Sequence, residues 1–561
     1  MWSISNRWES EIGLLTRAFR GKAGGEGELA PLSPPSHASH LPFPCCCLSD
    51  FVADPKILQE TAKVVRGRVE HGQKDNDLYK FLQSSDLSTA DDAAIRSCRN
   101  FFLTEVRSFV QSVTGLELSR ERVDLTSSLY QHSDYLLCHD DLLDNRRLAF
   151  VLYAPEPPEW GDDMGGQLEL LGAGPEGEPG GVEVRLSPRF NSLVFFEVST
   201  KSFHRVHEVL SPNAKRHSLN GWFHAATPAP LKPLQAGPKE DESLQKGLKK
   251  KEPLQREPKE KEHLQRRPKE EEGIGPSDRP RLEPPEAQTA FVEWVEEEYV
   301  LSAETVQAVR RDFEVRSEIQ LTGFLNPGNL QRMKEEVKES LAPQSPPLWV
   351  PVGPANRRNY DVLSSLPEKS FKVLRSFLAV LDSEIFRNHL MTLTGLELPP
   401  RPPQLVLRLL KHGSFSLIRD QDVADLNPCL DLWISLPLGP GGFPEGGGGS
   451  VEYIAKDEAE PLLSIPPSEE GTLSLVFRDR ETLWFHKYVN VLLKDHSLVW
   501  VHASFRVEES GSDASGSDAS GTESGEDGVS EDEEADVPPK KPRLASSEEA
   551  PSFECSSSKD V

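Results

Sequence analysis

The sequence predicts a mainly β chain with flanking helices (α+β), built as a helical buttress on a β-barrel or jelly roll and made twice. Three observations predict it. Short apolar or alternating runs at 129–137, 148–153, 167–171, 193–198 and 218–224, separated by turn residues, read as strands. Helical periodicity precedes them at 54–66 and 93–113, the order of a buttress followed by a barrel. The whole pattern then recurs about 280 residues later, with helices at 324–337 and 371–393 and strands at 405–410, 430–436, 451–454, 473–477 and 498–505.

The repeat can be read residue by residue. Thr114-Gly115-Leu116-Glu117-Leu118 recurs as Thr394-Gly395-Leu396-Glu397-Leu398, Gly165-Gly166-Gln167-Leu168-Glu169 is echoed by Gly448-Gly449-Ser450-Val451-Glu452, and Ser192-Leu193-Val194-Phe195 by Ser474-Leu475-Val476-Phe477. A run of matches at one steady offset is far harder to obtain by chance than any single match. It sets the organisation. Residues 1–42 mix a possible helix with a Pro/Gly/Ser-rich segment and are expected to be disordered or atypical. The first unit is 43–226. Residues 227–287 are a linker in which Leu-Gln returns every ten residues, at Leu234, Leu244, Leu254 and Leu264, too polar and Pro-rich to bury a core. The second unit is 288–506. The tail 507–561 opens with twelve acids and no base over 507–536, a disordered acidic composition, followed by the basic cluster Pro538-Pro539-Lys540-Lys541-Pro542-Arg543 of the nuclear-import kind.

Composition excludes several classes. No run of about 18 apolar residues exists, so no membrane span is expected. A net charge of −27 argues against a general nucleic-acid binder. Seven irregularly placed cysteines make no disulfide framework, and adjacent Cys45, Cys46 and Cys47 suit neither a bridge nor a tetrahedral zinc site, which points to a reducing compartment.

The chemistry lies in the first unit. Two histidines and one carboxylate hold iron(II) while leaving coordination positions open. His139 and Asp141 have the required spacing, and on a strand residues i and i+2 share a face. A lone His-x-Asp is more often an ordinary surface pair, so the second histidine matters. The candidates are His204, His207 and His217. His204 is preferred because it follows the 193–198 strand by a short turn and because Phe203-His204 aligns with Phe485-His486. Such sites commonly use 2-oxoglutarate, whose far carboxylate needs a cation. Arg216, twelve residues after His204, offers a bidentate fork, with Ser218 on the same strand face and Tyr153 at the end of another strand as hydrogen-bond donors. In the second copy Arg419 and Gln421 stand in the places of His139 and Asp141, and Asp495 in that of Arg216; only His486 is kept. One half reads as an enzyme, the other as support.

The segments Leu137-Cys138-His139-Asp140-Asp141, Val194-Phe195-Phe196-Glu197-Val198, Phe203-His204 and Gly221-Trp222-Phe223-His224 resemble the iron- and 2-oxoglutarate-dependent prolyl hydroxylases of ribosomal protein, and the resemblance runs from about 43 to 506. It implies a double-stranded β-helix in each half, only the first catalytic. It implies Fe(II) on His139, Asp141 and His204, 2-oxoglutarate as co-substrate on Tyr153 and Arg216, O2 as oxidant and L-ascorbate to keep the iron reduced. The implied reaction is 3-hydroxylation of a proline in the small-subunit ribosomal protein at the decoding centre, with effects on translation accuracy, and 76–81 resembles the border of the substrate cleft. The 1–42 region and the ten-residue repeats depart from the family. Nucleus and cytoplasm are the expected locations, and the second unit is expected to dock a protein partner. Two rivals remain: the same chemistry on another target, where Trp222 stands in place of the second arginine common in nucleic-acid demethylases, and a non-catalytic interaction scaffold.

Overall fold

The computed structural model describes residues 1–21, 36–226 apart from 144 and 176, 274, and 279–508 apart from 343–347, 368–369, 419–426, 440–442, 457, 459 and 468–470. The ten-residue repeats and nearly all of the acidic tail lie outside the described residues. The chain divides into two compact units, Met1–Pro268 and Lys269–Val561.

The first unit is one curled sheet: β1 (His37–Ser39), β2 (Cys45–Leu48), β3 (His71–Asp75), β4 (Tyr79–Ser84), β5 (Leu118–Tyr130), β6 (Tyr135–His139), β7 (Arg146–Tyr153), β8 (Leu168–Ala173), β9 (Pro179–Leu186), β10 (Leu193–Glu197), β11 (His204–Val206) and β12 (Arg216–Ala225). Its order is β1-β2-β10-β7-β12-β5-β4-β6-β11-β8-β9, with β3 added to β4. This is the curled, mainly β jelly roll expected of an oxygenase. Central strands are buried on both faces, which is why they read as nearly continuous apolar runs. On β7, Leu148, Phe150 and Leu152 join the core under the helices, while Ala149, Val151 and Tyr153 face the barrel interior. On β10, Leu193 and Phe195 take the helical side, Val194 and Phe196 the interior. The period of two along each strand separates a structural core from a cavity lining.

The helices that cover the outer face include Pro55–Arg68, whose N-cap Asp54 accepts from the Lys56 N–H at 3.1 Å, and Arg107–Thr114. The repeated Thr-Gly ends the second of these. Gly115 adopts φ 70° as a left-handed C-cap, and Thr114 Oγ1 donates to the Val110 carbonyl and accepts from the Leu116 N–H. Gly395 (φ 74°) and Thr394 make the same arrangement in the second unit. The motif is thus a helix stop that hands the chain to a long strand.

Three expectations need correction. The 129–137 run is not one strand: a turn at 131–134 separates β5 from β6, with Ser133 at φ 70° and Asp134 accepting from the Gln131 N–H. The start of the chain is not disordered where it is described. Asn6–Ser10 and Ile12–Arg20 are helical, and Trp2, Ile4, Trp8, Leu15 and Phe19 are buried in the first core because 12, 15 and 19 fall on one helix face. The linker ends earlier than 287, since Pro284–Trp294 is already a helix with Ala287 buried.

The second unit contains β13 (Glu318–Leu321), β14 (Trp349–Val352), β15 (Arg358–Leu363), β16 (Gln404–Leu410), β17 (Phe415–Ser416), β18 (Cys429–Pro437), β19 (Val451–Ala455), β20 (Leu463–Ile465), β21 (Leu473–Arg478), β22 (Thr482–His486) and β23 (Leu498–Arg506). The larger sheet runs β13-β21-β18-β23-β16-β15-β14, the smaller β20-β19-β22. The larger order matches β2-β10-β7-β12-β5-β4-β3 strand for strand, and the smaller one matches β9-β8-β11.

Candidate metal and co-substrate site

β6 ends at His139, so strand alternation does not bring Asp141 round to it. Asp141 lies beyond the strand at φ 62°, a left-handed backbone that turns its carboxylate back toward His139. The Asp140 carbonyl, accepting from Ser202 Oγ at 2.9 Å, pins this loop to the turn before β11. β11 pairs directly with β6, placing His204 opposite His139. The outcome is His139 Nε2 at 3.6 Å from Asp141 Oδ1 and His204 Nε2 at 3.4 Å from Asp141 Oδ2, with one ligand atom of each residue within 4.8 Å of the others.

The hydrogen bonds on the far side of each ring settle what these nitrogens offer. His139 Nδ1 contacts the Leu137 carbonyl at 2.9 Å and His204 Nδ1 the Ser202 carbonyl at 2.7 Å. A carbonyl only accepts, so each Nδ1 carries the proton and each Nε2 presents a lone pair to the centre. Burial, helped by the neighbouring His204, holds His139 down to about 4, so it is neutral at physiological pH. Burial would raise Asp141, but the close His204 ring, the nearby His139 and the hydrogen bond from Trp222 outweigh it and hold the carboxyl well below its usual range. Two imidazoles and a carboxylate are the donor set that suits iron(II) with open positions.

A cavity of about 480 Å³ opens from these residues. On β12 the alternate residues Arg216, Ser218, Asn220 and Trp222 line it, while Leu219 and Phe223 pack into the helical core. Arg216 is 2% exposed at the cavity floor. Its Nε donates to the Gly166 carbonyl at 2.7 Å and its Nη2 to Tyr153 Oη at 3.2 Å, with its guanidinium 4.8 Å from the Tyr130 ring centre. Ser218 Oγ faces the same space, donating to Asn220 Oδ1 at 3.3 Å. Tyr153 sits behind Arg216 rather than on the lining: it holds the arginine. Tyr130, opposite Arg216 in the β5–β12 register, is the aromatic wall that sequence reading missed, for nothing in its neighbourhood marks it. The hairpin of β3 and β4 supplies Lys74, Leu78, Tyr79 and Phe81 to the rim, where 76–81 had been placed, joined by exposed Leu142 and Leu143.

The other histidine candidates lie elsewhere. His207 Nδ1 bonds the Glu208 carbonyl. His217 points away from the cavity to Arg66 Nη1 at 2.9 Å and Ser127 Oγ at 2.8 Å, and burial pushes it down to about 3. The cysteine triplet opens β2; its thiols are buried, which pushes Cys45 and Cys47 up to about 12.

In the second unit the place of Arg216 belongs to Leu498, not Asp495. Arg216 pairs with Tyr130 and Leu498 with Leu410, and the tight turns that follow Tyr130 and Leu410 match at Ser133 and Gly413. Asp495 is exposed in the preceding turn, three residues short of the strand. Arg419 and Gln421 lie outside the described residues. His486 is buried among Trp433, Trp484 and Trp500, with ring centres 5.7, 5.4 and 6.4 Å away.

The family described as the 2OG-Fe(II) oxygenase superfamily matches residues 125–224, and the one described as the oxoglutarate and iron-dependent oxygenase degradation C-terminal domain matches 286–513. Prolyl 3-hydroxylase OGFOD1 of Xenopus laevis is 32% identical over 510 residues, covering 85% of this chain and 88% of the relative. The protein of the same name in Mus musculus is 29% identical over 519 residues, covering 80% and 85%. Prolyl 3-hydroxylase sudestada1 of Drosophila melanogaster is 28% identical over 492 residues, covering 80% of each.

Proposed function

The chain belongs to the prolyl 3-hydroxylase family of 2-oxoglutarate- and iron-dependent oxygenases, and from that premise we propose that its first unit hydroxylates C3 of a prolyl residue in the small-subunit ribosomal protein at the decoding centre. The observation that carries the reading is the meeting of His139, Asp141 and His204 at one end of a cavity whose floor is Arg216. His139 Nε2, His204 Nε2 and the Asp141 carboxylate hold Fe(II). Arg216, steadied by Tyr153 and the Gly166 carbonyl and flanked by Ser218, takes the far carboxylate of 2-oxoglutarate as a charge-assisted fork. Bound iron supplies the oxidative chemistry, coupling decarboxylation of 2-oxoglutarate by O2 to hydroxylation, with L-ascorbate keeping it reduced. The protein orients both substrates, and Phe196, Val206 and Leu168 exclude water from the cavity walls.

The second unit is a duplicated, degenerate double-stranded β-helix without catalysis, and it docks a protein partner. The repeated strand order and the packed interior support this reading. The basic cluster at 538–543 supports residence in the nucleus as well as the cytoplasm. The test is incubation with Fe(II), 2-oxoglutarate, ascorbate and a decoding-centre peptide, with mass spectrometry for one added oxygen on proline and His139→Ala as control. Loss of the product in the control supports the reading. Succinate without hydroxylated peptide discards the peptide as substrate, and neither product from iron-loaded protein leaves the scaffold.

A further inference from the structure

Asp141 is the only one of the three metal-binding residues that offers two equivalent atoms, and its surroundings make them unequal. Trp222 Nε1 donates to Asp141 Oδ2 at 3.1 Å. The Arg146 guanidinium lies 3.5 Å from the centre of the Trp222 ring, and its Nη1 approaches Asp141 Oδ1 at 3.7 Å. Arg146 opens β7, Trp222 is near the end of β12, and the register sets Trp222 beside Ala149, whose small side chain leaves the indole room over the barrel interior. We propose that Trp222 and Arg146 are positioning residues that hold Asp141 as a one-oxygen metal ligand. This rests on the iron-site reading above.

The physical case is a matter of counting. Two imidazoles and one carboxylate oxygen would fill three positions on the metal and leave the others to the co-substrate and the oxidant. A carboxylate that swung to offer both oxygens would close one of those positions. Asp141 stands in a left-handed backbone conformation, on a loop after the strand, where rotation of the side chain is not limited by a strand neighbour. The indole N–H ties one oxygen, and the guanidinium stacked on the ring fixes the direction of that N–H by a cation–π contact. Partners that orient a ligand in this way are typically worth about 10–100-fold in metal affinity. The second unit agrees: the register pair Trp222–Ala149 becomes Ser504–Asp431, so the indole donor is gone from a barrel that shows no His-Asp-His grouping among its described residues.

The experiment uses full-length metal-free protein titrated with Co(II), read both as a dissociation constant and as the visible absorption of the bound ion, whose band intensity reports coordination number. Trp222→Phe keeps an aromatic ring for Arg146 and removes the N–H donor. It is expected to weaken Co(II) binding about 10–100-fold and to change the band intensity. Arg146→Gln is expected to weaken binding less, and the double variant to lose less than the sum of the two, because the arginine acts in part through the indole. Wild-type affinity and spectrum in Trp222→Phe would overturn the inference alone, as would additive losses in the double variant. Failure of the wild-type protein to bind Co(II) would overturn the metal site and this inference with it.

Discussion

The two units lay their strands in the same order and fill them in opposite ways. In the first, the interior positions of β5, β7 and β12 are small or polar: Ser128, Val151, Ser218 and Asn220 leave the cavity open. At the matching register positions the second unit has Arg408, Trp433, Trp500 and His502. Trp433 stacks on His502 at 3.8 Å, Arg408 Nη1 meets His502 Nδ1 at 3.2 Å, and Asp431 is gripped by Arg478 Nε at 2.7 Å and Ser504 Oγ at 2.6 Å. One strand order can therefore frame an open cavity or a filled interior: the strands keep core-facing residues in both units, and the second barrel is plugged from inside. A cavity is a destabilising feature that function maintains, and the second unit replaces it with packing and a buried ion pair.

The sharpest way to break this contrast is to truncate side chains in both interiors. His139→Ala or Asp141→Ala is expected to abolish turnover and metal uptake, whereas His486→Ala leaves both at wild-type level. Turnover assays with parallel metal titration decide it; residual uptake in both first-unit variants would place the metal elsewhere. Next in size is the plug itself. Asp431→Asn leaves Arg478 buried without its counter-charge and should cost about 3–5 kcal/mol, measured by denaturant unfolding at pH 7. Burial would raise the Asp431 carboxyl, but Arg478 and His502 hold it well below the usual range. A depressed carboxyl contributes stability that is present above its unfolded value of about 4 and lost as pH falls below it, so the gap between Asp431→Asn and wild type should narrow below pH 4. The surroundings of His217 in the first unit should respond earlier than this ion pair. His217, held down to about 3 by burial and by Arg66, must stay neutral to remain packed. Its folded value lies below its unfolded one of about 6.5, so its stability is full above pH 6.5 and declines as pH falls from there toward 3. Hydrogen exchange along a pH series should show the strands around His217 loosening at a higher pH than that at which the Asp431 ion pair is lost.

Packing gives a third test. Trp500→Ala should destabilise the second unit by about 3–5 kcal/mol, while Ser218→Ala at the matching position of the first should stay within about 1 kcal/mol, since only one hydrogen bond to Asn220 is lost. Arg216→Lys comes after it: the point charge remains but the fork is lost, and the 2-oxoglutarate requirement should rise about 10-fold with stability little changed.

Much of this contrast was written in the chain, and its gaps have physical causes. β7 and β10 were readable because strands buried on both faces are apolar throughout, and the ligands because His139, Asp141 and His204 sit beside strand ends. Arg216 was readable by its spacing from His204. In the second unit the strand register puts Leu498 in its place, so the error at Asp495 came from letting the offset drift through a loop. The β3–β4 hairpin was missed because β3 is polar and exposed, with neither face patterned. The turn of Asp141 into the site was missed because a left-handed φ at an aspartate leaves no mark in composition. The tie from Trp222 to Asp141 joins residues 81 apart, visible only once β7 and β12 are paired.

The smallest expected effect concerns a histidine beside the matching position of the second unit: the ladders set His486 opposite Val451 as Val206 is set opposite Leu168, so Trp484, not His486, takes the place of His204. His204 works because its Nδ1 proton is taken by Ser202 and its Nε2 faces an open centre. His486 faces indoles instead, and its ring nitrogens find no full hydrogen bond among the described residues, the Ser450 carbonyl giving only a weak one. Burial and the nearby Arg408 hold it neutral. A buried polar group so poorly paired costs about 1–3 kcal/mol relative to one that is satisfied. His486→Phe, which keeps an aromatic ring among Trp433, Trp484 and Trp500, should therefore leave the melting temperature unchanged or raise it by a few degrees, while His204→Phe removes metal binding. A clear drop in melting temperature for His486→Phe would mean that this histidine holds something in the second barrel, and the two interiors would be less different than their packing makes them.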